Sequence, residues 1–223
     1  MLISTGARGR QHTLAFAALL GVATAFGCRA GPVDPRSNGV PTRPNYSAVL
    51  QEWTRDGEAY LALGGRLFVS ATWLSPAFLQ AQVAARAGNE DFSAAEADAA
   101  QRDVLTALNE VVFVIGVNTP EWGWNHLEAP EDTAVFRLRL RHFRGQGRDA
   151  PLIEVAPLRV ERLESKPKFA LLYPFITPLH IGYRVVFPEN VSGVSVVPGP
   201  GGLLRLVVAG PPGSVALDWA IRG

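Results

Sequence analysis

Hydrophobic and polar residues alternate with a period of two along several short stretches of the chain. Residues 67–73 place Leu67 and Val69 on one side of an extended backbone and Phe68 on the other. In residues 136–141 apolar side chains alternate with arginines, which predicts a half-buried strand with an arginine-lined outer face. The same reasoning predicts further strands over residues 111–117, 153–163, 169–176, 179–187, 191–197, 203–209 and 215–221.

Two helices are predicted between the strand at 67–73 and the strand at 111–117. Ser75, which precedes a proline, has the preferences of a helix N-cap, so a helix is expected over residues 76–87. Ser93 followed three residues later by Glu96 is the capping-box pattern that begins a second helix. The pair forms a helical insertion over about residues 75–110.

Short strands separated by turns rich in proline and glycine favour antiparallel pairing over a parallel sheet. The predicted fold class is therefore mainly β, an antiparallel β-sandwich with an inserted α-helical hairpin. Residues 46–223 are long enough to form one domain with a sizeable core.

The start of the chain follows a different pattern. Arg8 and Arg10 precede residues 13–26, a run of apolar and small residues without charge. This run is too short for a membrane-spanning helix, which needs roughly 20 apolar residues. A basic start, a short apolar run and small residues at its end are the layout of a secretory signal.

The end of this run, Ala25-Phe26-Gly27-Cys28, resembles the lipobox of bacterial lipoproteins. The resemblance implies that residues 1–27 are removed and that the Cys28 thiol is diacylated. Cys28 is the only cysteine of the chain, and lipidation explains an odd cysteine in an exported protein. The alternative is cleavage after Ala23-Thr24-Ala25 by an ordinary signal peptidase, which would release a soluble protein.

Residues 28–45 contain four prolines among glycine, serine and asparagine, so we expect them to form a flexible tether. Arg29 follows the cysteine, and by resemblance to enterobacterial lipoproteins a residue other than aspartate there implies the outer membrane. A lipid on Cys28 would then make the membrane a partner of the protein. A secreted or periplasmic soluble protein is the alternative.

Charge excludes one class of partner. Loss of Arg8 and Arg10 with the signal reduces the 21 basic residues to 19, against 20 acidic ones. A nucleic-acid-binding protein would show a basic stripe. The sequence therefore predicts no nucleic-acid partner, and it contains no motif that calls for a cofactor.

One predicted loop is rich in aromatic and polar residues and is the candidate ligand-binding site. Exposed indoles beside amide and carboxylate groups suit recognition of a glycan or peptide. In the alternative interpretation, both tryptophans cap the core and the asparagine bonds within its own loop. The candidate residues are Trp122, Trp124, Asn125, His126 and Glu128.

Other chemistry has less support in the sequence. His126 and Glu128 are too few for a metal site, which needs three or four ligands. No Gly-x-Ser-x-Gly pattern marks a nucleophile. Arg137, Arg139 and Arg141 could bind an acidic or phosphate-bearing partner, or form the solvated face of an edge strand.

Residues 172–188, with Thr119-Pro120 and Trp124-Asn125, resemble a group of exported proteins from delta-proteobacteria-like genomes. That resemblance implies no particular activity. The leading hypothesis is a non-catalytic outer-membrane lipoprotein that binds or scaffolds envelope components. The second is a glycan- or peptide-binding module that uses residues 122–128, and the third is a hydrolase whose site is assembled only by folding.

Overall fold

The computed structural model describes residues 46–60, 66–87, 93–106, 109–145, 150–164, 169 and 172–222. The predicted signal, Cys28 and the predicted tether lie outside these residues. Within them the chain forms three helices: α1 (Tyr46–Trp53), α2 (Pro76–Ala87) and α3 (Ala94–Thr106). The first strands are β1 (Thr54–Tyr60), β2 (Arg66–Trp73), β3 (Glu110–Asn118), β4 (Arg137–Phe143), β5 (Ile153–Val155) and β6 (Arg159–Arg162). The later strands are β7 (Ile181–Pro188), β8 (Asn190–Val191), β9 (Val194–Ser195), β10 (Leu203–Gly210) and β11 (Gly213–Ala220).

The described strands form two larger sheets and one small one. The order is β1-β2-β3-β7-β6 in the five-stranded sheet and β11-β10-β4-β5 in the four-stranded sheet, and β8 pairs only with β9. Every pairing is antiparallel. The prediction of a mainly β protein with antiparallel sheets is confirmed.

Large aromatic side chains from both larger sheets meet in one core. The ring of Trp219 in β11 lies 5.1 Å from that of Phe113 in β3, and both side chains are buried. The Trp219 indole donates a hydrogen bond to the carbonyl oxygen of Trp53 at 3.0 Å, so its buried N–H is satisfied. Hydrophobic burial of this kind is the main force that holds such a fold together.

The two sheets contact each other where β1 meets β11. A Cβ atom at Gly57 would lie 2.5 Å from Cγ1 of Val215, so only glycine fits at this crossing without a shift. Arg55 Nε donates to the carbonyl oxygen of Asp218 at 2.9 Å. The Arg55 side chain of β1 is thus hydrogen-bonded to the backbone of β11.

The other face of the five-stranded sheet is covered near its centre by residues 175 and 176. Gly116 and Gly182 pair across β3 and β7. A Cβ at Gly116 would lie 3.1 Å from Phe175, and one at Gly182 would lie 3.1 Å from Ile176. The paired glycines therefore leave the space that these two side chains occupy.

The helices begin where the sequence predicts. Ser75 Oγ accepts a hydrogen bond from the amide of Phe78 at 3.1 Å, which caps α2. Ser93 and Glu96 make the reciprocal bonds of a capping box, at 3.3 Å and 3.1 Å. α2 contacts both α1 and α3. Among the described residues no helix has the length and apolar character needed to cross a bilayer.

Three strand predictions are wrong in detail. The run 153–163 is two strands, because Val155 pairs with Leu140 in the four-stranded sheet whereas Arg159 pairs with Val186 in the five-stranded one. Pro157 lies between them, has no N–H to continue a ladder, and so marks the change of sheet.

The run 169–176 is not a strand in its described residues. The amide of Tyr173 donates to the carbonyl oxygen of Phe169 at 2.7 Å, a helix-like bond over four residues. The run 191–197 is largely the β8–β9 hairpin. Ser192 and Gly193 both have positive φ, at 51° and 81°, as a two-residue type I′ turn requires.

Candidate binding site around Trp122

The candidate site lies on the segment that leaves β3, residues 119–128, which we call the Trp122 loop. Thr119 Oγ1 donates to the carbonyl oxygen of Glu121 at 2.8 Å. A single 3-10 turn follows over Trp122–Trp124, closed by a bond from the Asn125 amide to the Trp122 carbonyl oxygen at 3.1 Å. Local bonds therefore fix the shape of the loop before any packing is considered.

Asn125 ties this loop to the end of the five-stranded sheet. Its side chain is buried, and Nδ2 donates to the carbonyl oxygen of Val117 in β3 at 2.8 Å. The Tyr183 hydroxyl in β7 donates to the Asn125 backbone oxygen at 2.7 Å and lies 3.2 Å from Oδ1. Asn125 is therefore an anchor of the loop rather than a group that faces a ligand.

The environment of Tyr183 agrees with this anchoring role. Burial raises the pKa of Tyr183 above its ordinary value, and the negative charge of Glu128 raises it further. The phenol consequently stays protonated at physiological pH and acts as a hydrogen-bond donor. It holds the loop by a neutral hydrogen bond.

The two tryptophans differ in exposure. Trp122 is 65% exposed at the tip of the loop, whereas Trp124 is partly buried and packs against the core. The sequence left open whether both indoles face solvent or both cap the core. In the structure Trp122 faces solvent and Trp124 packs against the core, so Trp122 is the exposed indole of this loop.

The polar members of the candidate site lie together on the same loop. His126 Nδ1 lies 3.6 Å from Glu128 Oε1, and the His126 side chain is half exposed. Arg162 of β6, which the sequence did not suggest, brings Nη1 to 3.9 Å from the same carboxylate oxygen. The loop that carries the exposed Trp122 ring thus also carries polar groups, which Arg162 joins from β6.

This cluster offers no evident metal site. Within the described part of the chain, no group of three or more histidine, cysteine, aspartate or glutamate residues is placed to hold a metal ion. His126 and Glu128 are charged or polar groups available for hydrogen bonds to a solvent-side ligand.

Two more exposed aromatic residues lie on β1 and β2, the two strands on one side of β3 in the sheet. Tyr60, at the end of β1, and Phe68, in β2, are 68% and 37% exposed. Phe68 pairs with Asn118, the last residue of β3 before the loop. The sequence contains a signal for the exposure of Phe68. It shares one side of the strand at 67–73 with Ser70 and Thr72, where alternation predicts a polar residue.

The arginine row of β4 is not the face of an edge strand, and that prediction is wrong. β4 pairs with β10 on one side and with β5 on the other, so it lies inside the four-stranded sheet. Arg141 and Arg139 contact the carboxylates of Glu154 and Glu131. Arg139 and Arg141 on this face of the sheet are therefore paired with carboxylates.

Comparison of the chain with protein-family models, with curated proteins and with solved structures finds no match.

Proposed function

We propose that this chain is a lipid-anchored envelope protein, acylated on Cys28, whose domain binds other envelope components without catalysing a reaction. The observation that carries the binding role is the exposed Trp122 indole on a loop whose base is buried and hydrogen-bonded. A large apolar ring on a hydrogen-bonded loop suits recognition, because the loop backbone needs little ordering when a partner covers the ring. The lipid on Cys28 is supported by the lipobox-like residues and by the fact that Cys28 is the only cysteine of the sequence.

In this proposal the domain is an antiparallel β-sandwich that carries α2 and α3 as a helical hairpin. The contact of Phe113 with Trp219 and the approach of Gly57 to Val215 support packing of one sheet on the other. The contact between α2 and α3 supports the hairpin. The outer membrane is the proposed location, with a soluble periplasmic or secreted protein as the alternative.

A glycan- or peptide-binding module is the second candidate function. It is favoured by the grouping of His126, Glu128 and Arg162, two of them on the loop that also carries the exposed indole. Such a grouping supplies hydrogen bonds that orient a ligand while the ring supplies contact area.

The binding role can be tested by affinity purification from detergent-solubilised envelopes. Wild-type protein is compared with Trp122→Ala and with the matched control Leu158→Ala, which removes a 61% exposed side chain elsewhere on the domain. We expect an envelope component that is retained by wild type and Leu158→Ala and is lost from Trp122→Ala. Equal retention by all three proteins would contradict a binding role for this loop.

The anchor is tested separately by fractionation. We expect wild-type protein in the membrane fraction and Cys28→Ala in the soluble fraction, because the substitution removes the acylated thiol. An unchanged membrane association of Cys28→Ala would contradict the anchor without affecting the binding test.

A further inference from the structure

The five-stranded sheet has one face turned to the four-stranded sheet and one turned away from it. A Cβ atom at Gly57 would meet Val215 of β11, so the side of β1 that carries Gly57 faces the other sheet. Side chains alternate between the two faces along a strand, so Asp56 and Glu58 point away from the other sheet. The register pairs each of them with a residue of β2, and paired side chains share a face. We call this surface the β1–β2 face, and it comprises Asp56, Glu58, Phe68 and Ser70.

Neighbouring contacts bound the β1–β2 face on two sides. Toward β3, the Phe175 ring lies 3.1 Å from the position of a Cβ on Gly116, and Gly116 is the partner of Ser70. At the end of β1, the guanidinium of Arg66 lies 4.8 Å from the centre of the Tyr60 ring. The β1–β2 face therefore begins where the cover of the sheet by Phe175 ends.

The two carboxylates of this face have no cationic partner among the described residues. Asp56 and Glu58 are exposed, and within the described part of the chain their side chains make no ion pair or hydrogen bond. Arg55, which lies between Thr54 and Asp56 in β1, is turned to the other sheet and donates to the carbonyl oxygen of Asp218. Carboxylates on other strands do have arginine partners, and these are Glu110, Glu154, Glu161 and Asp218.

Protection of a free edge does not account for these charges. Charged residues on an edge strand commonly block its pairing with another chain. β1 is the last strand of its sheet, but β11 of the other sheet lies against it. The bond from Arg55 Nε to the Asp218 carbonyl oxygen, at 2.9 Å, joins the two strands there. The carboxylates of β1 are therefore available for another role.

An aromatic ring shares the face with the carboxylates. Phe68 is 37% exposed and lies directly opposite Glu58 in the register. Side chains at directly opposed positions have Cβ atoms about 5 Å apart. Cations are attracted to the face of an aromatic ring, and Lys and Arg side chains are the cations that proteins supply. A cation in contact with the Phe68 ring would therefore also be close to the Glu58 carboxylate.

The spacing of the carboxylates favours an extended partner. Asp56 and Glu58 are two residues apart in an extended strand, so they are separated by roughly 7 Å along β1. Alternate residues of another extended segment have the same separation. A segment with basic residues at alternate positions would place one cation near each carboxylate. A nucleic acid or an anionic lipid surface would instead be repelled by both negative charges.

We propose that the β1–β2 face binds an extended basic segment of another protein. Lysine or arginine side chains of that segment pair with Asp56 and Glu58, and one of them lies over the Phe68 ring. This interaction goes beyond the binding role of the Trp122 loop and does not depend on it. Tyr183, which anchors that loop, pairs with Ile115, the partner of Ala71, and so lies on the opposite face of the sheet.

The test uses the full chain purified from membranes in an uncharged detergent. The probe is a short labelled peptide in which lysine alternates with threonine, and a matched peptide carries glutamate in place of lysine. Affinity is measured by fluorescence anisotropy at low and at high salt, and thermal unfolding shows that each variant is folded. The variants are Asp56→Asn combined with Glu58→Gln, and Phe68→Leu, which keeps an apolar side chain. The control combines Asp98→Asn with Asp132→Asn, which removes the same charge from exposed positions elsewhere.

We expect wild type and the control to bind the lysine peptide with equal affinity and to leave the glutamate peptide unbound. Loss of both carboxylates should weaken binding by roughly 2- to 30-fold, the product of two exposed ion pairs. Phe68→Leu should weaken it by roughly 2- to 5-fold, as expected for an exposed cation–π contact. High salt should weaken binding by wild type, because it screens exposed charges.

Several results would overturn the proposal. Wild type that does not bind the lysine peptide, or that binds it no better than the variant without the two carboxylates, would contradict the site. Equal weakening in the control would assign the effect to net charge rather than to this face. Phe68→Leu with the affinity of wild type would contradict the contact with the ring. Self-association of wild type in sedimentation velocity that is lost with Asp56→Asn and Glu58→Gln would assign the face to a second copy of the chain instead.

Discussion

Replacement of Asn125 by alanine tests whether this residue anchors the Trp122 loop. The substitution removes the bond from Nδ2 to the Val117 carbonyl oxygen and leaves that oxygen without this partner. A buried polar group deprived of its partner costs about 1–3 kcal/mol. The Tyr183 hydroxyl keeps its shorter bond, because that bond is made to the Asn125 backbone oxygen.

The expected loss of stability follows from these bonds. We expect Asn125→Ala to lower the free energy of unfolding by about 1–3 kcal/mol. For a domain of this size, that corresponds to a decrease in Tm of roughly 2–12 °C. Trp122→Ala is the matched control on the same loop, and we expect a change within about 0.5 kcal/mol because its side chain is largely exposed.

The assay is urea denaturation of both variants, followed by a double-mutant cycle of Asn125→Ala with Tyr183→Phe. The coupling energy should be below about 1 kcal/mol, because only the longer 3.2 Å contact joins the two side chains. The reasoning is refuted if Asn125→Ala is as harmless as Trp122→Ala. A coupling of several kcal/mol would instead show that the side chains, rather than the backbone oxygen, hold the loop.

Three other substitutions test the fold by different measurements. Ser75→Ala should destabilise by about 1 kcal/mol in urea denaturation through loss of the cap on α2, and no change would contradict the cap. Gly57→Ala should cost about 1–3 kcal/mol, because its Cβ would lie 2.5 Å from Val215, and a rise in Tm would contradict that approach of the sheets. Burial lowers the pKa of His180, so the unfolded state binds more protons and wild type should lose stability as pH falls through about 6.5. His180→Gln should lose less stability over that range, and identical pH profiles would contradict the shift.

Local sequence patterns were sufficient to predict those helices and strands that are specified by residues close together in the chain. The alternation at 67–73 and the caps at Ser75 and Ser93 are each set within a few residues, and the structure places β2, α2 and α3 there. The position of β4 could not be predicted in this way, because pairing partners distant in the chain decide whether a strand is internal or at an edge.

The elements that the sequence missed depend on contacts between distant residues. α1 has buried Leu50 and Trp53, but its eight residues are too few for a clear helical period. The strand predicted over 169–176 contains enough apolar residues for β structure, yet Phe175 and Ile176 instead cover the glycine pair of β3 and β7. Nothing local in that run specifies those glycines as its partners.

The candidate site was predicted in part. The Trp122 loop and its polar residues are contiguous in the sequence, so composition alone was enough to select them. The different roles of Trp122 and Asn125 were not predictable, because Asn125 is hydrogen-bonded to Tyr183, 58 residues away. Arg162 likewise reaches Glu128 only because strand pairing brings β6 beside β7.

The central claim, an envelope protein anchored through Cys28, is tested most directly by the intact mass of the mature protein from membrane fractions. The account predicts a chain that begins at Cys28 and carries the added mass of two or more acyl groups, absent from Cys28→Ala. An unmodified chain that begins near Phe26 would contradict the anchor. In that case the masses of wild type and Cys28→Ala would differ only by the mass of the substituted side chain.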